Sequence, residues 1–159
     1  MTSKNGVGVT EIGHDSESKT FVNGYEPAGS YRRKIKYDIA MEQIVDIIKQ
    51  SKNCEQFIKY ECHASKLLAF DGWWVSRQGS KMNYWGGAAV NSGKCACGMT
   101  NSCAGGRKCN CDINDETLRE DSGYLTDKNT LPVTELRFGD TGHSVEYGYY
   151  TLGKLRCWG

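Results

Sequence analysis

A chain of 159 residues with 38% apolar content and nineteen glycines fits one domain with a modest core and many loops. Its formal net charge of +1 excludes both a basic field for nucleic acid and an acidic tail, and no apolar run approaches the roughly 20 residues that span a bilayer. Eight cysteines exceed ordinary cytosolic usage, and an even number fits a fully paired set formed in an oxidising compartment.

The start, Met1 to Gly6, is polar and has no apolar segment of a signal peptide. Together with the disulfide reading, this predicts a fragment of a secreted precursor. Val7 to Ile12 alternates and predicts a strand, Thr20 to Val22 a second, and Asn23-Gly24 a turn. Tyr31 to Tyr37 predicts a strand with a basic side. Met41, Ile44, Val45 and Ile48 recur at helical spacing, with Asp38 as the expected N-cap and an end near Lys52. Asn53-Cys54 reads as an irregular link, followed by a strand with Ile58, Tyr60 and Cys62 on one side. Leu67 to Phe70 reads as core. Leu118 to Ser122 predicts a short helix, Leu131 to Phe138 a strand, and Tyr147–Leu152 and Leu155–Trp158 two closing strands. One helix among short strands is an α+β pattern.

The densest chemistry lies between Gly72 and Asp112, which holds three of the four tryptophans, five of the eight cysteines and eight glycines. Cys95, Cys97, Cys103, Cys109 and Cys111 include two C-x-C pairs, and Cys54, Cys62 and Cys157 complete the set. Four converging thiolates can bind zinc, but structural zinc sites use C-x(2–4)-C spacing and no histidine stands nearby. Disulfides are the better reading. One intervening residue strains a ring between neighbours, so each member of a C-x-C is expected to reach a different partner.

Trp73, Trp74, Tyr84 and Trp85 are expected to frame a contact surface, because indole faces stack on sugars and apolar groups. On a strand, Trp73 and Trp74 would point to opposite faces. Asp112, Asn114 and Asp115 cluster oxygen donors and form a candidate calcium loop, although they supply only part of a six-to-eight oxygen set. Gly139-Asp140-Thr141-Gly142 contains a D-T-G triplet, but aspartic protease chemistry needs two such carboxylates and one copy exists. His14, His63 and His143 stand apart with no nucleophile signature around them, so no enzyme is expected. Asn101-Ser102-Cys103 is at most a rare N-x-C glycan acceptor.

In order, CEQFIKYECHASKLL, GWWVSRQGSKMNYWGG, KCACG, CNCD, REDSGYLTDKNTLPVTELRFGD and YYTLGKLRCWG resemble the fibrinogen-like domain of contactin-associated (Caspr/neurexin-like) cell-surface proteins. The resemblance runs from about Asn5 to the end. More distantly, the helix, the KYEC segment and the terminal cysteine resemble the C-propeptide of fibrillar collagens. The resemblance implies a fibrinogen C-terminal-like fold over residues 1–159, without the small disulfide-bonded lobe that precedes this region in relatives and whose closing methionine Met1 matches. It implies an extracellular or cell-surface location and a non-catalytic role in adhesion or matrix, with an extracellular protein or glycan as ligand. A calcium-dependent lectin and a collagen-like oligomerisation module are the alternatives. The collagen-like resemblance also implies a Cys62–Cys157 bridge. Fibrinogen-type domains often carry an aspartate-rich calcium loop and an acetyl-group pocket; neither maps onto residues here.

Overall fold

The computed structural model describes residues 2–4 and 7–159, with side chains from Gly8 onward. Ten strands and one α-helix follow in order: β1 (Thr2–Lys4), β2 (Val7–Ile12), β3 (Thr20–Val22), β4 (Tyr31–Lys34), α1 (Met41–Gln50), β5 (Asn53–His63), β6 (Trp73–Val75), β7 (Lys81–Met82), β8 (Arg119–Leu125), β9 (Glu135–Phe138) and β10 (Tyr147–Trp158). Between β7 and β8 the chain makes three single 3-10 turns, Ala96–Met99, Ala104–Gly106 and Cys111–Ile113. A predominantly sheet architecture with one helix and four disulfides agrees with the α+β expectation.

Two antiparallel sheets form. The larger runs β1-β2-β10-β5-β8, with β3 also on β10; the smaller runs β4-β9-β6-β7. Alternation on β5 and β10 sends Ile58, Tyr60, Tyr150 and Leu152 inward, and Leu136 and Phe138 of β9 meet them. Phe138 stacks on Tyr60 at 4.5 Å and lies 5.5 Å from Tyr150, so the core sits between the sheets. Tyr31 of β4 ties across through a 2.6 Å hydrogen bond to the Tyr150 hydroxyl.

A buried polar knot organises one end of this core. Gln56 donates to the Tyr37 hydroxyl (2.8 Å) and the Gly153 carbonyl (3.1 Å) and accepts from Val133 N (2.9 Å), while Tyr37 donates to the Val133 carbonyl. Every member has a partner, as a buried amide requires. Helix α1 covers the same end with Ile44 and Ile48 buried and Ile47 half-buried, while Met41 stays at the surface. Its N-cap is Ala40, whose N–H donates to Gln43 Oε1, so Asp38 is not the cap. The His14–Tyr37 bridge and the Asp38 N–H bond to Gly13 hold Asp38 to the preceding loop instead. Past the helix end, Lys128 Nζ donates to the carbonyls of Ile48 and Ser51, a charged cap on the negative end of the dipole.

Four further expectations are corrected. Asn53 and Cys54 already lie in β5, opposite Trp158 and Cys157. Residues 119–125 form a strand, not a helix, because they pair along β5 from Cys62 to Gln56. The two closing strands are one, β10, with a bulge between Leu152 and Leu155. The bridge to Cys157 comes from Cys54, its cross-strand neighbour at a Cα separation of 4.1 Å. Cys62 lies at the far end of β5 opposite Gly148, about 26 Å away at 3.3 Å per residue, far beyond disulfide reach. It bonds to Cys111.

Candidate functional site

Disulfides, aromatic anchors and one buried carboxylate convert residues 83–118 from loose loop into a fixed surface. Cys95–Cys109 and Cys97–Cys103 close rings within it, and Cys62–Cys111 fastens it to β5. Each member of the two C-x-C pairs takes a separate partner, and with the sulfurs joined there is no thiolate set for zinc. Asp121, 3% exposed on β8, accepts from Asn110 N and Cys111 N at 2.9 Å each. Burial pushes its carboxyl up to about 6, against the lowering effect of these two bonds. Gly86 and Gly123 bring loop and sheet backbones together; a Cβ on Gly86 would stand 2.2 Å from the Gly123 carbonyl oxygen.

The four aromatics expected to frame a contact surface do not converge on one. Trp74 and Trp85 are fully buried and Tyr84 is 2% exposed. Trp74 donates to the Tyr84 carbonyl and Trp85 to the Asp121 carbonyl, so their polar ends lock the loop to the sheet. Trp73 does point to the opposite face from Trp74, but its ring is engaged too. Lys81 Nζ sits 3.9 Å from its centroid, Arg137 lies 5.2 Å away, and Gly29 packs against its edge.

Asp112, Asn114 and Asp115 are likewise separated by their partners. Asp112 is buried and accepts at Oδ1 from Leu67 N (2.8 Å) and Ala69 N (3.4 Å). Burial raises its carboxyl despite these bonds. Asn114, left-handed at φ 57, donates its amide to Asp140 Oδ2 and the Ala64 carbonyl. Asp115 forms a bidentate pair with Arg119, at 2.9 and 2.8 Å, which holds its carboxyl below the usual range. These oxygens bind the chain to itself rather than converge on one point. Elsewhere Glu26, His143 and Glu146 place donor atoms within 4.8 Å of one another. Gly142 N and His143 N already donate to those carboxylates, and the group has only surface hydrogen bonds to set it apart. Asp140 of the D-T-G triplet is buried and accepts from Lys66 N, a structural use.

The residue that sequence reasoning misplaced is Phe70. Of the run read as core, Leu67 is fully buried but Phe70 is 84% exposed, with a left-handed φ of 93. The Asp71-Gly72 pair was the available signal: both N–H groups turn back to the Leu67 carbonyl, which swings Phe70 outward. Beside it lies a cleft of about 470 Å³. It is lined by Leu68, Ala69, Phe70, Gly93, residues 106–108 and the buried Asp112.

No family model matches the chain. Neurexin-4 of Drosophila melanogaster is 38% identical over 163 aligned residues, covering 95% of this chain and 13% of that protein. Contactin-associated protein 1 of Homo sapiens and of Rattus norvegicus is 34% identical over 157 residues, covering 94% of this chain and 11% of each relative. The chain is thus homologous to one short stretch of neurexin-4 and of contactin-associated protein 1, and it spans about an eighth of the first and a ninth of the second.

Proposed function

We propose that this chain is a non-catalytic extracellular recognition module of an adhesion-type protein, and that it binds a protein ligand through the loop face beside β8. The homology to neurexin-4 and contactin-associated protein 1 supports the adhesion setting. Four disulfides with no free cysteine among the described residues support a compartment where such bonds persist. The order of the sequence motifs supports a fibrinogen C-terminal-like assignment for the fold. The observation that carries the reading is the cleft: an exposed aromatic at a left-handed φ, held on a covalently fixed scaffold next to a concave surface. The name contactin-associated protein 1 records association with another protein, which favours a protein ligand over a glycan. The separate engagements of Asp112, Asn114 and Asp115 give a calcium-dependent lectin no geometric support.

The test uses the oxidised, secreted chain, tetramerised on a fluorescent carrier and bound to contactin-bearing cells. Binding should disappear after the cells are treated with protease, survive glycosidases and EDTA, and fall at least tenfold in Phe70→Gly. Loss after glycosidase or EDTA would transfer the case to the lectin. Binding indifferent to Phe70 would remove the cleft as the contact face.

A further inference from the structure

We infer that the cleft beside Phe70 takes an acidic peptide segment carrying an apolar side chain; this rests on the protein-recognition reading above. Three independent observations lead there. The first is Phe70 itself. Stability alone would place glycine or asparagine at φ 93 and a polar side chain at 84% exposure, yet a phenylalanine stands there. Its turn is rigid, because Asp112 accepts from Leu67 N and Ala69 N while Asp71 N and Gly72 N return to the Leu67 carbonyl. The ring is therefore held out into water, available for an apolar contact.

The second observation is charge. Arg107 and Lys108 are exposed, and neither forms an ion pair among the described residues. Lys34, Lys36, Lys49 and Lys52 are exposed without an ion pair among these residues as well, so what sets Arg107 and Lys108 apart is their place in the lining of the cleft beside Phe70. Lys94, next to Gly93, lies close to the Lys108 backbone around Gly98. Lys66 is matched by Asp71 at 3.6 Å, and the Asp112 carboxylate is turned to the two N–H groups of the Phe70 turn. Arg107 also acts electrostatically on Asp112, but two cations, Arg107 and Lys108, against that one buried carboxylate leave the lining positive, which suits carboxylates.

The third is rigidity. Cys103 and Cys109, bridged to Cys97 and Cys95, flank Arg107 and Lys108, so the cations stand on a loop with little freedom to lose on binding. A volume of about 470 Å³ accommodates a few side chains of an extended segment.

The experiment titrates the 15N-labelled, oxidised protein with an eight-residue peptide of three glutamates around a central leucine. Controls replace the leucine by serine, or the glutamates by lysine, and a sialylated trisaccharide provides an acidic non-peptide. Amide shifts confined to 66–70 and 93–112, weakening with salt, are expected for the first peptide alone. Arg107→Glu/Lys108→Glu should weaken it at least tenfold and reverse the preference toward the lysine peptide. Phe70→Gly should weaken it about fivefold while raising the melting temperature, an outcome a purely structural Phe70 would not give. No shift at millimolar peptide, equal binding of the lysine or serine peptide, or preference for the trisaccharide overturns the inference. If Phe70-dependent cell binding persists when acidic peptides fail, this inference falls and the recognition reading stands.

Discussion

The paired-strand half of the molecule and its cysteine-rich half are held together by different physics. From Asn53 to His63, β5 is laddered against β10 on one side and β8 on the other, and its inward side chains stack on Phe138. Residues 83–118 have three single 3-10 turns and almost no ladder, yet carry three of the four disulfide linkages. The first half is stabilised by apolar burial and strand pairing, which act on the folded state. The second is stabilised largely by cross-links that restrict the unfolded chain. Regular packing therefore carries the core, and sulfur carries the loop surface beside it.

Removing cross-links one at a time is the strongest way to break this contrast. Cys54→Ser/Cys157→Ser opens a separation of 103 residues, and the chain-entropy relation gives a loss of about 4–5 kcal/mol. Cys97→Ser/Cys103→Ser, with a separation of 6, should cost about 2–3 kcal/mol. Hydrogen exchange should then quicken throughout the chain for the first pair but within 94–112 for the second. Equal spread in both variants would show that the two halves unfold as one unit.

Acidity tests the junction between them. Folding raises the Asp121 carboxyl from 3.8 to about 6 through burial, so the folded chain keeps a proton that the unfolded chain has released. Its stabilising contribution is complete below about 4 and is lost as pH rises through about 6, a change of about 2–3 kcal/mol at 1.36 kcal/mol per unit. Asp112, raised by burial, acts with the same sign. Denaturation midpoints measured from pH 4 to 7 should fall less steeply in Asp121→Asn. An unchanged slope in that variant would place the titration elsewhere.

The smallest effect probes the regular half alone. Lys128→Ala removes the charged cap on the Ile48 and Ser51 carbonyls and should cost about 0.5–1 kcal/mol, read as a shift in the urea midpoint. Exchange in 94–112 should stay as it was.

How far each half was legible in the sequence follows from the same division. β2 and α1 were readable because their apolar residues recur at the period of the element: Val7 and Val9 stand two apart on a strand, Ile44 and Ile48 four apart on one face of a helix. β8 was not, because its inward positions are Asp121, Gly123 and Leu125, chosen for a hydrogen-bonded carboxylate and a close backbone approach rather than for hydrophobicity. The long β10 read as two strands because the bulge at Leu152–Leu155 breaks its alternation. At the candidate site, the richness in cysteine and aromatic residues drew attention to residues 72–112, but Trp74, Tyr84 and Trp85 are buried there, and the exposed aromatic beside the cleft is Phe70, just before that stretch. Tryptophan buried behind the loops and tryptophan displayed on them have the same letter, and only the third dimension separates Trp85 from Phe70. The Cys62–Cys157 expectation, carried over from the distant collagen-like resemblance, failed because partner choice depends on strand register, which puts Cys54 opposite Cys157 here.

The meeting of Gly86 with Gly123 carries a consequence for how such molecules change over generations. Where main chain touches main chain, no side chain is available to vary, and the frame is insulated from drift at its rim. Exposed positions such as Phe70, Arg107 and Lys108 contribute little to that frame, so exchanging them would alter the surface while leaving the frame assembled. A gene duplicated on this plan has a short route to a new surface on an old frame.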